Sequence, residues 1–227
     1  VLGGYAPAWA SLPEGSDVRD APDCFRCDQT PSRMGDWTAW VTDTVGRYRG
    51  KSIQAWEIWN EPSFPRDHVL CPSAESCRSG LGSMYRGTPE QLLALQDAAA
   101  SIIKRLDPGA LVVSPGVSYH HRNFLDHYLS IGGGRSADVI GYHLYLDGAP
   151  ELMMSHVLGV RAIMRDHGVE TKPLWNTESA ISEINPDLDP AVQTARRMGV
   201  GAPTVSELGP AYLARMFMVS WASGVQR

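Results

Sequence analysis

Two glutamates stand where a carboxyl group could do chemistry. Glu61 closes the run Trp56-Glu-Ile-Trp-Asn-Glu61, with Pro62 behind it, and Glu178 closes Pro173-Leu-Trp-Asn-Thr-Glu178. Both runs carry aromatic and apolar residues in strand-like order and stop at the acid. In a parallel α/β barrel, the C-terminal ends of the strands form the active face. Two carboxyls on separate strands, directed across one opening, can flank a single glycosidic bond. One protonates the departing oxygen, and the other attacks carbon or activates water. Neighbours in sequence cannot take up that geometry.

The elements that must position these acids are legible as periodicity. Trp37, Trp40, Val41, Val45 and Tyr48 follow the i, i+3, i+4 rule, which predicts a helix from Asp36, as N-cap, to Gly50. Ile53 to Trp59 is a strand. Thr88-Pro-Glu-Gln91 is a capping box with proline in the first helical position, and Leu92, Leu95, Ala99, Ile102, Ile103 and Leu106 continue its stripe. Further strands are expected over 111–114, 138–145 and 172–178, and helices over 123–131, 151–167 and 210–223. Val1 to Trp9 reads as a buried strand with nothing before it to pair with. Strands alternate with helices about five times, which argues for a parallel sheet covered by helices and leaves barrel and open sheet both possible. No repeat, low-complexity tract or linker divides residues 1–227, so one domain is expected.

The 227 residues, 43% of them hydrophobic, suffice for a sizeable core. A net charge of -5 offers no basic footprint for a phosphate backbone, so nucleic acid is not the expected partner. No apolar run reaches the roughly 18 residues that a membrane span needs, and no signal peptide opens the chain, so an export signal would lie outside it. Gly132-Gly-Gly134 follows a predicted helix instead of preceding one, which gives a nucleotide cofactor no support. Metal-dependent hydrolysis would need histidine and aspartate ligands at strand ends, where only His143 clearly qualifies. Neither metal nor cofactor is expected. Cys24, Cys27, Cys71 and Cys77 all fall in loop-like stretches, as disulfides or as thiolates around a structural zinc. The loose spacing of the second pair favours disulfides.

Three runs occur in order: Trp56-Glu-Ile-Trp-Asn-Glu-Pro62, Gly141-Tyr-His-Leu-Tyr145 and Trp175-Asn-Thr-Glu178. They resemble the strand-four, strand-six and strand-seven signatures of glycoside hydrolase clan A, with wording most similar to family 39 and then to family 5. Two predicted strands between the glutamates agree with a count from four to seven. The resemblance implies an incomplete (β/α)8 TIM barrel of about five βα units, with the first two strands upstream of Val1 and the last beyond Arg227. It implies Glu61 as catalytic acid/base, Glu178 as nucleophile and Asn60 as the amide that meets the sugar 2-hydroxyl. His143 and Tyr145 look like the His-x-Tyr of strand six. Period-two geometry puts both on one strand face, with Tyr145 donating to Glu178 and His143 near Glu61. Trp9, in Tyr5-Ala-Pro-Ala-Trp9, stands where family 5 members show a strand-three histidine, and it is a candidate sugar contact. The activity implied is retaining hydrolysis of a β-linked poly- or oligosaccharide by double displacement. The acid/base must then arrive protonated and the nucleophile ionised. The expected partner is a carbohydrate, and the enzyme is expected to be a secreted monomer in which disulfides persist.

The rival reading is a non-catalytic carbohydrate-binding or scaffold fragment of such a barrel. Several residues also have plainer readings. Glu57 suits a buried ion pair with an arginine. Trp59 suits packing, His120 and His121 a solvated loop, and His127, His156 and His167 helix surfaces. Asp126, Asp147 and Glu183 read as ordinary surface charges. Met153, Met154, Met164, Met216 and Met218 read as core.

Overall fold

The computed structural model describes residues 1–3, 10, 31, 33–62, 85, 88–118, 121–145, 149–179, 190–199 and 205–226. In chain order the elements are α1 (Met34–Tyr48), β1 (Ala55–Glu57), α2 (Pro89–Leu106), β2 (Leu111–Val113), β3 (Val117–Ser118) and α3 (Arg122–Ser130). Then come β4 (Ile140–His143), α4 (Leu152–Asp166), β5 (Leu174–Glu178), α5 (Pro190–Arg197) and α6 (Val205–Ala222). The fold is α/β with small parallel sheets. The chain forms two compact units. The first comprises Val1–Val117 and His121–Gly141, the second Ser118–His120 and Tyr142–Arg227.

In the first unit β1 and β2 run parallel, with Trp56 opposite Val112. Parallel bridges Leu2 to Ile58, Asn60 to Gly116 and Val113 to Val139 extend the pairing on both sides. Neighbouring strands therefore follow chain order. The core lies between this sheet and helices α1 and α2, where Val41, Val45, Leu92, Leu95 and Ile103 are fully or almost fully buried. The Trp37 indole donates to Leu95 O at 2.9 Å and ties the two helices together. The capping box of α2 forms as expected: Thr88 Oγ1 accepts from Gln91 N, and Gln91 Oε1 accepts from Thr88 N.

Gln96, on the buried side of α2, makes three hydrogen bonds with protein groups. Its amide donates to Gly133 O at 2.7 Å and Ser136 Oγ at 2.9 Å, and it accepts from the Tyr128 hydroxyl at 3.0 Å. Burial, with Asp97 and Tyr85 nearby, pushes the Tyr128 phenol well above its ordinary value, so it remains a donor.

The second unit holds the ends of β3 and β4 and all of β5, in a sheet ordered β3-β4-β5. Met153, Val157, Val160 and Met164 form the buried face of α4, and Tyr212 and Met216 are buried on α6. Arg215 grips Glu151 through two hydrogen bonds of 2.9 and 2.6 Å. After α6 the chain returns to β5, where Gln226 N donates to Leu174 O at 3.1 Å.

Four expectations need correction. Helix α1 starts at Met34 with Arg33 as cap, and Asp36 sits in the first turn, accepting from Arg33 Nε at 2.8 Å. An acid is favoured at either place by the positive end of the helix dipole, so sequence does not separate them. Residues 190–197, for which the sequence pattern predicts no helix, form α5, whose Ala, Val and Thr residues give no broad apolar face to read. Helix α6 begins at Val205 and contains Pro210, which sequence places at the helix start because proline suits that position. Of the five methionines expected in the core, Met154 and Met218 are exposed. Successive helical residues turn by about 100°, so Met154 cannot share the inward face of Met153, nor Met218 that of Met216. Among the described residues, no helix is long and apolar enough to cross a membrane.

Candidate active site

The two candidate acids are each held within their own unit. In the first, β1 delivers Glu61 through a bent strand end. Ile58 N donates to Val113 O at 3.1 Å, Trp59 N to Leu2 O at 2.7 Å and Glu61 N to Gly116 O at 3.0 Å. Trp59 and Glu61 both adopt left-handed backbone conformations, at φ 69° and 41°. For residues with a Cβ this costs roughly 1–2 kcal/mol each, so something must over-determine it. Part of that is the Trp59 ring, which is buried edge-on against Tyr85 at 5.2 Å and beside Trp37 at 6.2 Å. Trp59 is thus a packing residue that fixes the chain from which the half-buried Asn60 and Glu61 project.

Gly3 completes that arrangement. It sits at φ 92°, and a Cβ there would stand 2.5 Å from Trp59 Cε3. Gly3→Ala should therefore lower stability by about 1–3 kcal/mol, read as a reduced urea midpoint with unchanged slope. A midpoint within error of the parent would mean that the ring is not held this way. Glu57 is buried, as expected. Its Oε1 lies 2.9 Å from where a Cβ on Gly141 would be, so glycine is what lets that backbone approach the carboxylate.

In the second unit β5 delivers Glu178 at its C-terminal end, with 43% of the side chain open to solvent. The Tyr145 hydroxyl donates to Glu178 Oε1, the contact that the resemblance implies. His143, almost wholly buried, places Nδ1 3.7 Å from Oε2 of the same carboxylate. Leu144, between these two, is held by its backbone. Its N–H meets Glu178 O at 3.1 Å and Asn176 Oδ1 at 3.2 Å, and its carbonyl accepts from Ser179 Oγ at 2.6 Å. A carboxylate that is open on one side and hydrogen-bonded on the other can be both accessible and fixed in direction. Nothing in sequence singles out Asn176 or Ser179, because their partner is a main-chain group just past the end of β4. Trp9, His120 and the four cysteines lie outside the described residues.

No family model matches the chain, and no curated protein does. Solved structures do resemble it, two of them over most of its length. The glucosidase from Croceicoccus marinus superposes with a TM-score of 0.62 at 19% identity, covering 87% of this chain and 38% of its own. The monomeric beta-xylosidase from Caulobacter crescentus CB15 gives 0.57 at 17% identity, covering 88% and 38%. At these identities the likeness is one of fold, and the chain spans 38% of the length of each. By name both neighbours are glycosidases, one a glucosidase and the other a beta-xylosidase.

Proposed function

We propose that residues 1–227 are part of the catalytic domain of a retaining glycoside hydrolase acting on a β-linked poly- or oligosaccharide, built as an incomplete (β/α)8 barrel. The observation that carries this reading is Glu178: a carboxylate at the end of a strand, partly open to solvent, that accepts a hydrogen bond from Tyr145. The chain-order pairing of Leu2, β1, β2 and Val139, the residue before β4, supports a barrel, since a doubly wound sheet reverses its order at a switch point.

In this mechanism Glu178 attacks the anomeric carbon while the C–O bond to the leaving group breaks and the departing oxygen takes the Glu61 proton. Water then gives a proton to Glu61 and attacks the same carbon, which releases the Glu178 carboxylate. Both steps use only carboxyl groups and water. Asn60 binds the sugar 2-hydroxyl, His143 and Tyr145 hold the nucleophile, and Trp9 offers a stacking surface. Paired cysteines, a monomeric state and export complete the reading.

Stereochemistry tests it. Proton NMR of the first product released by the full-length protein from an aryl β-glycoside should show the anomer of the substrate. Initial release of the opposite anomer would indicate carboxyls about 6.5–9.5 Å apart working by inversion, and would overturn the assignment of Glu178 as nucleophile.

A further inference from the structure

We propose that Ser179 and Asn176 are positioning residues that set the angle at which Tyr145 meets Glu178. The inference rests on the reading of Glu178 as nucleophile and extends it to two side chains that touch no reacting atom.

The argument begins with connectivity. His143 and Tyr145 both address the Glu178 carboxylate, and the single residue between them, Leu144, is gripped on both sides of its peptide unit by the end of β5. Ser179 is the next residue after Glu178, so one short segment presents the carboxylate and also anchors the chain that carries its donor. A hydroxyl has one proton to give. Ser179 Oγ directs it to Leu144 O at 2.6 Å, with Met216 Sδ, a much weaker acceptor, at 3.3 Å. Leu144 itself is buried, so water cannot readily replace that bond. Tyr145 lies two residues past the end of β4. The Ser179 and Asn176 bonds tie the residue just before it to the segment that carries Glu178. Without them the phenol can swing away from Oε1, and the carboxylate loses the donor that aims it.

The test is a double-mutant cycle in the full-length protein with an aryl β-glycoside. Tyr145→Phe should lower kcat by about 10–100-fold, the value of one hydrogen bond to a charged group. Ser179→Ala should lower kcat by about tenfold with KM within about twofold, and Ser179→Thr, which keeps the hydroxyl, should recover most of the loss. In the Tyr145→Phe background the Ser179→Ala effect should shrink to less than about twofold, because the interaction it supports is already gone. Asn176→Ala should behave likewise with a smaller loss, and it serves as a second probe if Ser179→Ala folds poorly. Equal effects of Ser179→Ala with and without Tyr145, or no recovery by threonine, would overturn the proposal while leaving the glycosidase reading intact. Normal turnover by Glu178→Ala would remove both.

Discussion

Glu178→Ala in the full-length protein should lose turnover of an activated aryl glycoside by on the order of 10⁴-fold or more, whatever the leaving group. The size of the effect follows from the role. A nucleophile forms the bond that defines the first step, and no better leaving group compensates for its absence. Removing it leaves only substrate binding and whatever electrostatic help the rest of the site gives. The measurement is kcat with aryl glycosides of graded leaving-group acidity, alongside circular dichroism to show that the variant is folded. Turnover within a factor of ten of the parent would end the assignment. Because Glu178 is partly exposed at a strand end, its truncation opens little core volume, so a folding failure is not the expected cause of the loss.

Glu61→Ala should behave differently, and the difference is diagnostic. General acid/base catalysis contributes about 10²–10⁴-fold, so the loss should be of that order for a poor leaving group. It should be smaller in the first step for an activated one, which departs without a proton. The second step still needs a base to activate water. Azide is already an anion and needs none, so millimolar azide should restore most of the rate with activated substrates and divert the product to the glycosyl azide of unchanged anomeric configuration. Azide-independent activity in this variant, or an inverted azide product, would mean that Glu61 is not the acid/base.

Much of this was legible in the sequence, for a physical reason that holds residue by residue. The α2 capping box is a local contract between Thr88 and Gln91, and it forms as spelled. The strand ends at Glu61 and Glu178 are marked by a change from apolar, aromatic residues to an acid, and Tyr145 meets Glu178 as the family resemblance implies. What escaped depends on tertiary context. Nothing about a tryptophan announces a left-handed backbone, so the bend at Trp59 is visible only once its ring is seen against Tyr85 and Trp37. The short β3 follows β2 after Pro115-Gly116, an interruption that reads as the end of a strand. Helix α6 is apolar on several sides, with Phe217 and Trp221 exposed and Met216 buried, so no stripe marks which side faces inward or where the helix begins.

The backbone at position 61 carries a wider consequence. An acid at φ 41° sits where glycine would rest more easily, so the fold would gain by giving it up. Selection for durability alone would favour glycine at this position. The acid's persistence in any lineage would then record a demand imposed by the substrate, against the preference of the polypeptide.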